Sequence, residues 1–578
     1  MSGHQEGPGG PGRRLGVYVC RCGGNISDYV DVGRVVDAIK DDADVVVARE
    51  AMFTCSDATQ QEIVQDIAEQ RLDGLVVASC SPMLHRFTFR EVARRGGLNP
   101  YEYTQANIRE QCSWTHTDDR EGATRKAVRL VRAAMARTRL SEPLEPLEVE
   151  TTGAALVVGG GVAGMRAAVG LADLGLGVFL VEREAELGGW VRSFGEMFPN
   201  GTSGRELVER MREEIASRPA IKVFTEAELV AKSGTYGNYE VTVHVAGEAV
   251  RVHVGQILVA TGFDTYQPEV GELGYGIRGV VTLAELRRLL DGTEGPIRHE
   301  GRPVRSIAYI YCVGARDGQH PYCSRYCCTA AVHSSLLVSD RDPEVRQYHL
   351  YRDLRTYGKN ELMFGESRRR GSAYLKFADD EPPEVRAEGE RLRVKVRDML
   401  TGGAELSLMA DLVVLVTGAV ARENDELIAT LKLPLSRDGF FNEIHPKLRP
   451  VETVVDGVSI CGACQSPKTV AESVASGLAA VAQAAAVLKA GTAQLDPQVA
   501  VVQPSSCTGC GACVGSCPFE AISISAVDGA RVATIDPSAC KGCGGCVPTC
   551  PEDAIDLRGY TDVQVRAMID GLLEGASA

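Results

Sequence analysis

The apolar positions of the chain fall into three stretches of different rhythm. Across residues 15–139, short apolar runs (15–19, 44–48 and 72–78) alternate with helical stretches such as 61–69. Runs of that length separated by helices predict an α/β arrangement. The stretch closes on a helix near 123–137, where Ala127, Val128, Val131 and Met135 share one face. Residues 141–150, with Pro143, Pro146 and four glutamates, read as a linker. A second stretch opens on the apolar run 155–158 and continues to about Lys489. The third begins beyond Pro497 and Pro504. In it, residues 507–522 recur as 540–555, an internal repeat offset by 33 residues.

At 578 residues the chain exceeds what one core supports, so about three domains are expected. The net charge of -15 argues against nucleic acid as a partner, because phosphate binding needs a basic surface. No apolar run is expected to reach the ~20 residues of a membrane span. Residues 1–14 are rich in Gly and Pro without an apolar core, and read as a disordered leader, not a signal peptide. The 19 cysteines stand in tight groups instead of scattered pairs. Such groups point to metal ligands in a reducing, low-oxygen cytoplasm.

Cys507, Cys510, Cys513 and Cys517 precede Pro518, and Cys540, Cys543, Cys546 and Cys550 precede Pro551. This is C-x2-C-x2-C-x3-C-P twice, the two-cluster bacterial ferredoxin pattern, in which the fourth cysteine of each run ligates the other cluster. The expected sets are Cys507, Cys510, Cys513 and Cys550, and Cys540, Cys543, Cys546 and Cys517. Zinc knuckles, the competing reading, lack the C-x3-C-P closure.

The run 156–158 leads into Gly159-Gly160-Gly161-Val162-Ala163-Gly164, then a helix, then the strand-like 178–181 ending at Glu182. In this G-x-G-x-x-G, Gly159 makes the tight turn, Gly161 lets a pyrophosphate approach the backbone, and Gly164 lets helix pack on strand. The phosphates would sit at the helix N-terminus, with Val162 and Ala163 beside them. Glu182, 23 residues after Gly159, would bind ribose hydroxyls, with Arg183 next to it. FAD is favoured over NAD by Gly188 and Gly189, by Ala260-Thr261-Gly262 and by Gly462, all of which resemble the thioredoxin-reductase-like flavoproteins. A second glycine fingerprint for NADPH is absent. After the run 306–311 stands Cys312-Val313-Gly314, with Cys323, Cys327 and Cys328 nearby. Four cysteines within 17 residues suggest a cluster in that place, or alternatively a redox disulfide.

Several strings are specific enough to name a family. They are residues 19–23 (VCRCG), 78–82 (ASCSP), 107–114 (NIREQCSW), 322–328 (YCSRYCC) and 351–355 (YRDLR). From about Leu15 to Leu557 the chain resembles the A-type iron–sulfur flavoprotein of heterodisulfide reductase. The resemblance implies an α/β chain with three parts. These are an open-sheet iron–sulfur domain over 15–140, a thioredoxin-reductase-like FAD domain over 151–490, and an α+β two-cluster ferredoxin domain over 500–560, followed by a helix or tail over 561–578. It implies that Cys312, Cys323, Cys327 and Cys328 hold a 4Fe–4S cluster beside the flavin. Four of Cys20, Cys22, Cys55, Cys80 and Cys112 would hold one more, the spare thiol being unassigned.

Three departures from the family stand out. Residues 201–255 contain no cysteine, so an inserted ferredoxin module is missing. His333 stands where the family often has a lysine close to the flavin, which makes it a candidate flavin tuner or an ordinary helix residue. Ala463 stands at an expected cysteine, leaving Cys461 and Cys464 as a possible redox dithiol or two small packed residues.

The implied function is oxidoreduction at a sulfur group, with bifurcation or confurcation of electrons at FAD. The implied partners are disulfide-reducing proteins of the HdrB and HdrC type, ferredoxin, and a donor module (hydrogenase, formate dehydrogenase or an NADH-linked unit), around a homodimer in a larger complex. The competing readings are a non-bifurcating relay and scaffold, and a self-contained NADPH-dependent reductase.

Overall fold

The computed structural model describes residues 12–292, 295–527 and 529–573; most of the expected leader lies outside them. The chain divides into two compact units, one formed by residues 1–149 with 494–578, the other by 150–493.

In the first unit, strands β1 (Leu15–Cys20), β2 (Val45–Ala51), β3 (Gly74–Ser79) and β4 (Tyr103–Asn107) form a parallel sheet in the order β2-β1-β3-β4. β1 and β3 are buried along their whole length, as expected of inner parallel strands covered on both faces. Helix starts are marked in the sequence. Ser56 accepts from the Thr59 amide to cap α1 (Asp57–Glu69), and Ser81 caps α2 (Pro82–Gly96), whose first residue is proline. α3 (Arg120–Arg139) lays Ala127, Val131 and Met135 into the core. The expected linker ends in a short strand, Leu147–Glu150.

The same unit contains the ferredoxin-like module. Ala500–Val502 pairs antiparallel with Ile555–Leu557, and Ile522–Val527 with Ala530–Ile535. The 33-residue repeat becomes a pseudo-two-fold arrangement, in which the equivalent residues Ser516 and Thr549 meet hydroxyl to hydroxyl at 3.2 Å. The C-terminal helix, Asp562–Leu573, packs on α3.

The second unit holds two parallel five-stranded sheets. The first contains β5 (Ala154–Val158), β6 (Gly177–Val181), β7 (Ile221–Phe224), β8 (Gln256–Val259) and a last strand, Val458–Ile460, beside β8. The helix that follows β5, Val162–Asp173, packs against the helix Val470–Ala490. The second sheet is built around Ser306–Val313, with Arg346–Tyr351 on one side and Leu412–Thr417 on the other.

One expectation is corrected. The 21-residue helix Val470–Ala490 is long and apolar enough, by length and composition, to cross a membrane. Its alanines raise mean hydropathy without forming a run of large apolar residues, which is why inspection for such a run passes over it. Here Ala480, Val481, Ala484, Ala485 and Leu488 belong to the core that also covers β5 and β6.

Candidate functional site

A cavity of about 1240 Å³ opens at the carboxyl ends of the first sheet of the second unit. Gly159, Gly161, Val162, Ala163, Glu182, Arg183, Gly188, Gly189, Ala260, Thr261 and Gly262 all line it. Gly159 adopts φ 108°, and a Cβ there would run into the Ala260 carbonyl. Gly161 caps the helix Val162–Asp173 without a side-chain hydrogen bond, and a Cβ there would meet only open space. The first helical N–H groups therefore face the cavity unpaired by a cap, as an anion-binding turn requires. The buried Thr261 hydroxyl lines the same wall with no protein partner. An extended dinucleotide fits this donor set.

Gly164 keeps the packing role expected of it, and one expected contact, Gly462, takes another place. Gly164 is outside the wall and serves packing, because a Cβ there would collide with the Gly159 carbonyl oxygen. Gly462 also lies behind the wall, its place on the surface taken by Ala463. Glu182 is in the wall, with its carboxylate accepting from the Gly160 amide at 2.7 Å and the Glu184 amide at 3.0 Å.

The far wall comes from the helix Cys327–Arg341, through Ala330 and His333, with Tyr326 just before it. His333 Nε2 lies 3.5 Å from Glu196 Oε1, and its Nδ1 lies 3.5 Å from Arg287. Burial and the Arg287 charge hold the His333 pKa below its ordinary value, against the pull of Glu196. Both effects favour the neutral imidazole. Sequence reasoning missed Lys468, which also lines the cavity; its Nζ donates to the Gly462 carbonyl at 3.1 Å and to Gln465 Oε1 at 2.9 Å. No spacing rule marks a lone lysine in a loop.

The first turn of the same helix carries Cys327 and Cys328. Cys327 donates a hydrogen bond to Cys328 and is buried, with the thiols Cys312 and Cys323 close by, all of which push its pKa well up. Cys328 is pulled down to about 7 by that hydrogen bond, with help from Arg355 and Arg316. Cys312 sits in the left-handed region at φ 62°, at the end of its strand. Arg352 Nη2 donates to the Cys312 carbonyl at 3.5 Å and its charge opposes the rise that burial gives the Cys312 pKa, and the buried Arg316 Nη1 has no partner. Four thiols are thus gathered under arginine charge. Above this turn a Cβ on Gly314 would collide with the Tyr266 ring, which packs directly on the turn.

In the ferredoxin-like module, Cys507, Cys510 and Cys550 are the thiol neighbours that act on Cys513. Cys540, Cys543 and Cys517 are those of Cys546. The fourth cysteine of each run therefore lies with the opposite set. In the N-terminal sheet, Cys55 has Cys20 and Cys22 as thiol neighbours, and so does Cys80, whose pKa burial raises to about 12. Cys112 is elsewhere: its Sγ donates to the Ala123 carbonyl at 2.9 Å, and burial raises its pKa to about 11. Among the described residues, no three Cys, His, Asp or Glu side chains converge closely enough for a single metal ion. A zinc ion needs sulfurs at ~2.3 Å, whereas a cubane carries its irons at separate corners and takes ligands further apart.

Cys461 and Cys464 do not face each other. Cys461 packs in the core on one side of the sheet and Cys464 in that on the other. The Cys464 thiol points at the Cys461 carbonyl, 3.1 Å away.

The comparisons with known proteins agree with this geometry. Residues 506–554 match the 4Fe-4S dicluster domain model, and residues 153–308 match that of pyridine nucleotide-disulphide oxidoreductases. Fold and site thus define an iron–sulfur flavoprotein with an electron-transfer role. The second CoB--CoM heterodisulfide reductase iron-sulfur A-chain of Methanopyrus kandleri is 37% identical, over 89% of this chain and 92% of that protein. The A-chain of the H(2):CoB-CoM heterodisulfide,ferredoxin reductase of Methanothermobacter thermautotrophicus is 35% identical, over 88% and 90%. The CoB--CoM heterodisulfide reductase iron-sulfur A-chain of Methanocaldococcus jannaschii is 34% identical, over 97% and 98%. The chain belongs to this A-type iron–sulfur family of heterodisulfide reductase, and it is an oxidoreductase.

Proposed function

We propose that this chain is the FAD-bearing, electron-bifurcating or confurcating component of a heterodisulfide-reductase-like complex. One observation carries the reading: a single helix, Cys327–Arg341, presents two clustered thiols in its first turn and Ala330 and His333 to the cavity wall. Bound FAD would supply two-electron chemistry that can also be divided into single electrons. The Gly159–Gly161 turn and the Val162–Asp173 helix would hold its pyrophosphate. Glu182 would hold the ribose, and Ala330 would leave room beside the thiol-bearing turn. Cys312, Cys323, Cys327 and Cys328 would hold a 4Fe–4S cluster there. Two more belong to the ferredoxin sets, and a fourth to Cys20, Cys22, Cys55 and Cys80.

The names of the relatives support partners of the same kind: disulfide-reducing proteins, ferredoxin, and a module that feeds electrons in. The Tyr266 ring over Gly314 counts against direct NADPH binding. A second reading, a single-route relay, is favoured by His333 in place of a lysine, since its imidazole is held toward the neutral form, although the Arg287 guanidinium lies 3.5 Å from it in the same wall. Lys468 adds a second cation to that wall. Anaerobic reductive titration, followed optically and by EPR, separates the two. A bifurcating site bleaches in one two-electron step with no accumulating paramagnetic flavin signal. A persistent flavin signal across the titration would make the chain a relay.

A further inference from the structure

Arg109 is aimed into the N-terminal thiol group. Its Nη1 donates to Cys22 Sγ at 3.4 Å, and its charge also acts on Cys55 and Cys80. The side chain is fixed from two sides. Glu110 accepts from its Nε at 3.2 Å and its Nη2 at 2.7 Å, and the guanidinium lies 4.7 Å from the Trp114 ring centroid. The backbone is tied as well, since the Arg109 carbonyl accepts from the Trp114 amide at 2.9 Å and from Ser113 Oγ at 3.1 Å. A flexible surface arginine needs none of these restraints. Backbone donors reach thiols in both places, Cys20 from the Thr54 amide at 3.4 Å and the ferredoxin thiols Cys507, Cys540 and Cys550 from Ala533, Ala500 and Ala554 at 3.4, 3.4 and 3.2 Å, but the charged donor is at the N-terminal group.

We propose that Arg109 sets the reduction potential of the N-terminal site, holding it higher than a neutral residue at that position would. This rests on the reading that Cys20, Cys22, Cys55 and Cys80 hold a cluster. Uptake of one electron makes a thiolate-held cluster one charge more negative, with no bond made or broken. A cation donating to a ligand sulfur stabilises that reduced state more than the oxidised one. Charge-assisted hydrogen bonds are roughly twice as strong as neutral ones, and hydrogen bonds to the sulfurs are among the determinants of cluster potential. Arg109 is a positioning and charge-setting residue, not a ligand.

The test uses the full chain purified without oxygen. Cys22→Ser first identifies the EPR signal of the N-terminal site as the one it removes. If Cys22→Ser removes neither signal nor iron, the underlying cluster assignment fails, whatever Arg109 does. With that signal assigned, Arg109→Gln keeps a hydrogen-bond donor but removes the charge. It should leave iron content unchanged and lower the constant for reduction of that site alone by about tenfold, about 59 mV for a one-electron couple. Arg109→Lys, which keeps the charge, should stay near the unsubstituted midpoint and covers the case in which the Gln variant does not fold. An unmoved midpoint in Arg109→Gln, an Arg109→Lys midpoint lowered as far as the neutral variant, or loss of the cluster's iron from both would overturn the proposal.

Discussion

Cys112 shows what a single residue can hide. Five N-terminal cysteines follow strand-like runs, and no spacing distinguishes a ligand from a structural thiol. The difference lies in side-chain direction: the turn after β4 drops Cys112 under α3, onto the Ala123 carbonyl, while the other four stay grouped. Cys112→Ala should therefore retain all its iron and lose only about 1–2 kcal/mol of stability, the cost of a small cavity and one hydrogen bond. Cys55→Ala should lose roughly four irons. Anaerobic iron assay and denaturant unfolding of the two variants measure this. The ferredoxin ligands, in contrast, were legible from spacing alone, because a repeated short-loop motif fixes direction as well as position. Arg109 and Lys468 were not, since a cation gains its meaning only from the sulfur or cavity it faces.

At the scale of elements, strand–turn–helix units proved readable where the backbone itself is constrained. Gly159 and Gly164 are demanded by contacts that a Cβ would violate, and both stand out in the sequence. Gly161 differs in kind. Its backbone is at φ -73°, open to any residue, and a Cβ there meets no protein atom. The absence of a side chain there serves the ligand, not the fold. Gly161→Val should fold with its iron intact and bind FAD at least about tenfold more weakly, a loss of about 1.4 kcal/mol. Gly164→Val should compromise folding as well. Flavin-to-iron ratio and thermal unfolding, measured side by side, distinguish the two outcomes. Equal stability losses in both variants would contradict the division of roles.

For the whole molecule, three sequence blocks become two compact units, the first and third blocks sharing one. Sequence patterning sees contiguous stretches, so a union of the two ends of the chain has no signature in it. Its contacts are carried by a few residues with no motif. Arg137, 3% exposed, donates from Nε and Nη2 to the Gly559 carbonyl at 2.9 and 2.7 Å and lies 4.0 Å from the Tyr560 ring centroid. Gln564 Nε2 donates to the Leu140 carbonyl at 2.7 Å. Three proposed clusters thus lie in one folding unit, whose integrity depends on a buried cation that burial pushes toward a lower pKa. Its removal strands the Gly559 carbonyl and empties the space over Tyr560, at a cost of about 3 kcal/mol. Arg137→Ala should then expose the C-terminal module to limited proteolysis near Gly559 while the flavin unit keeps its FAD. Cleavage confined to the flavin unit, or no change in either, would mean that the N-terminal sheet and the ferredoxin-like module do not depend on this contact.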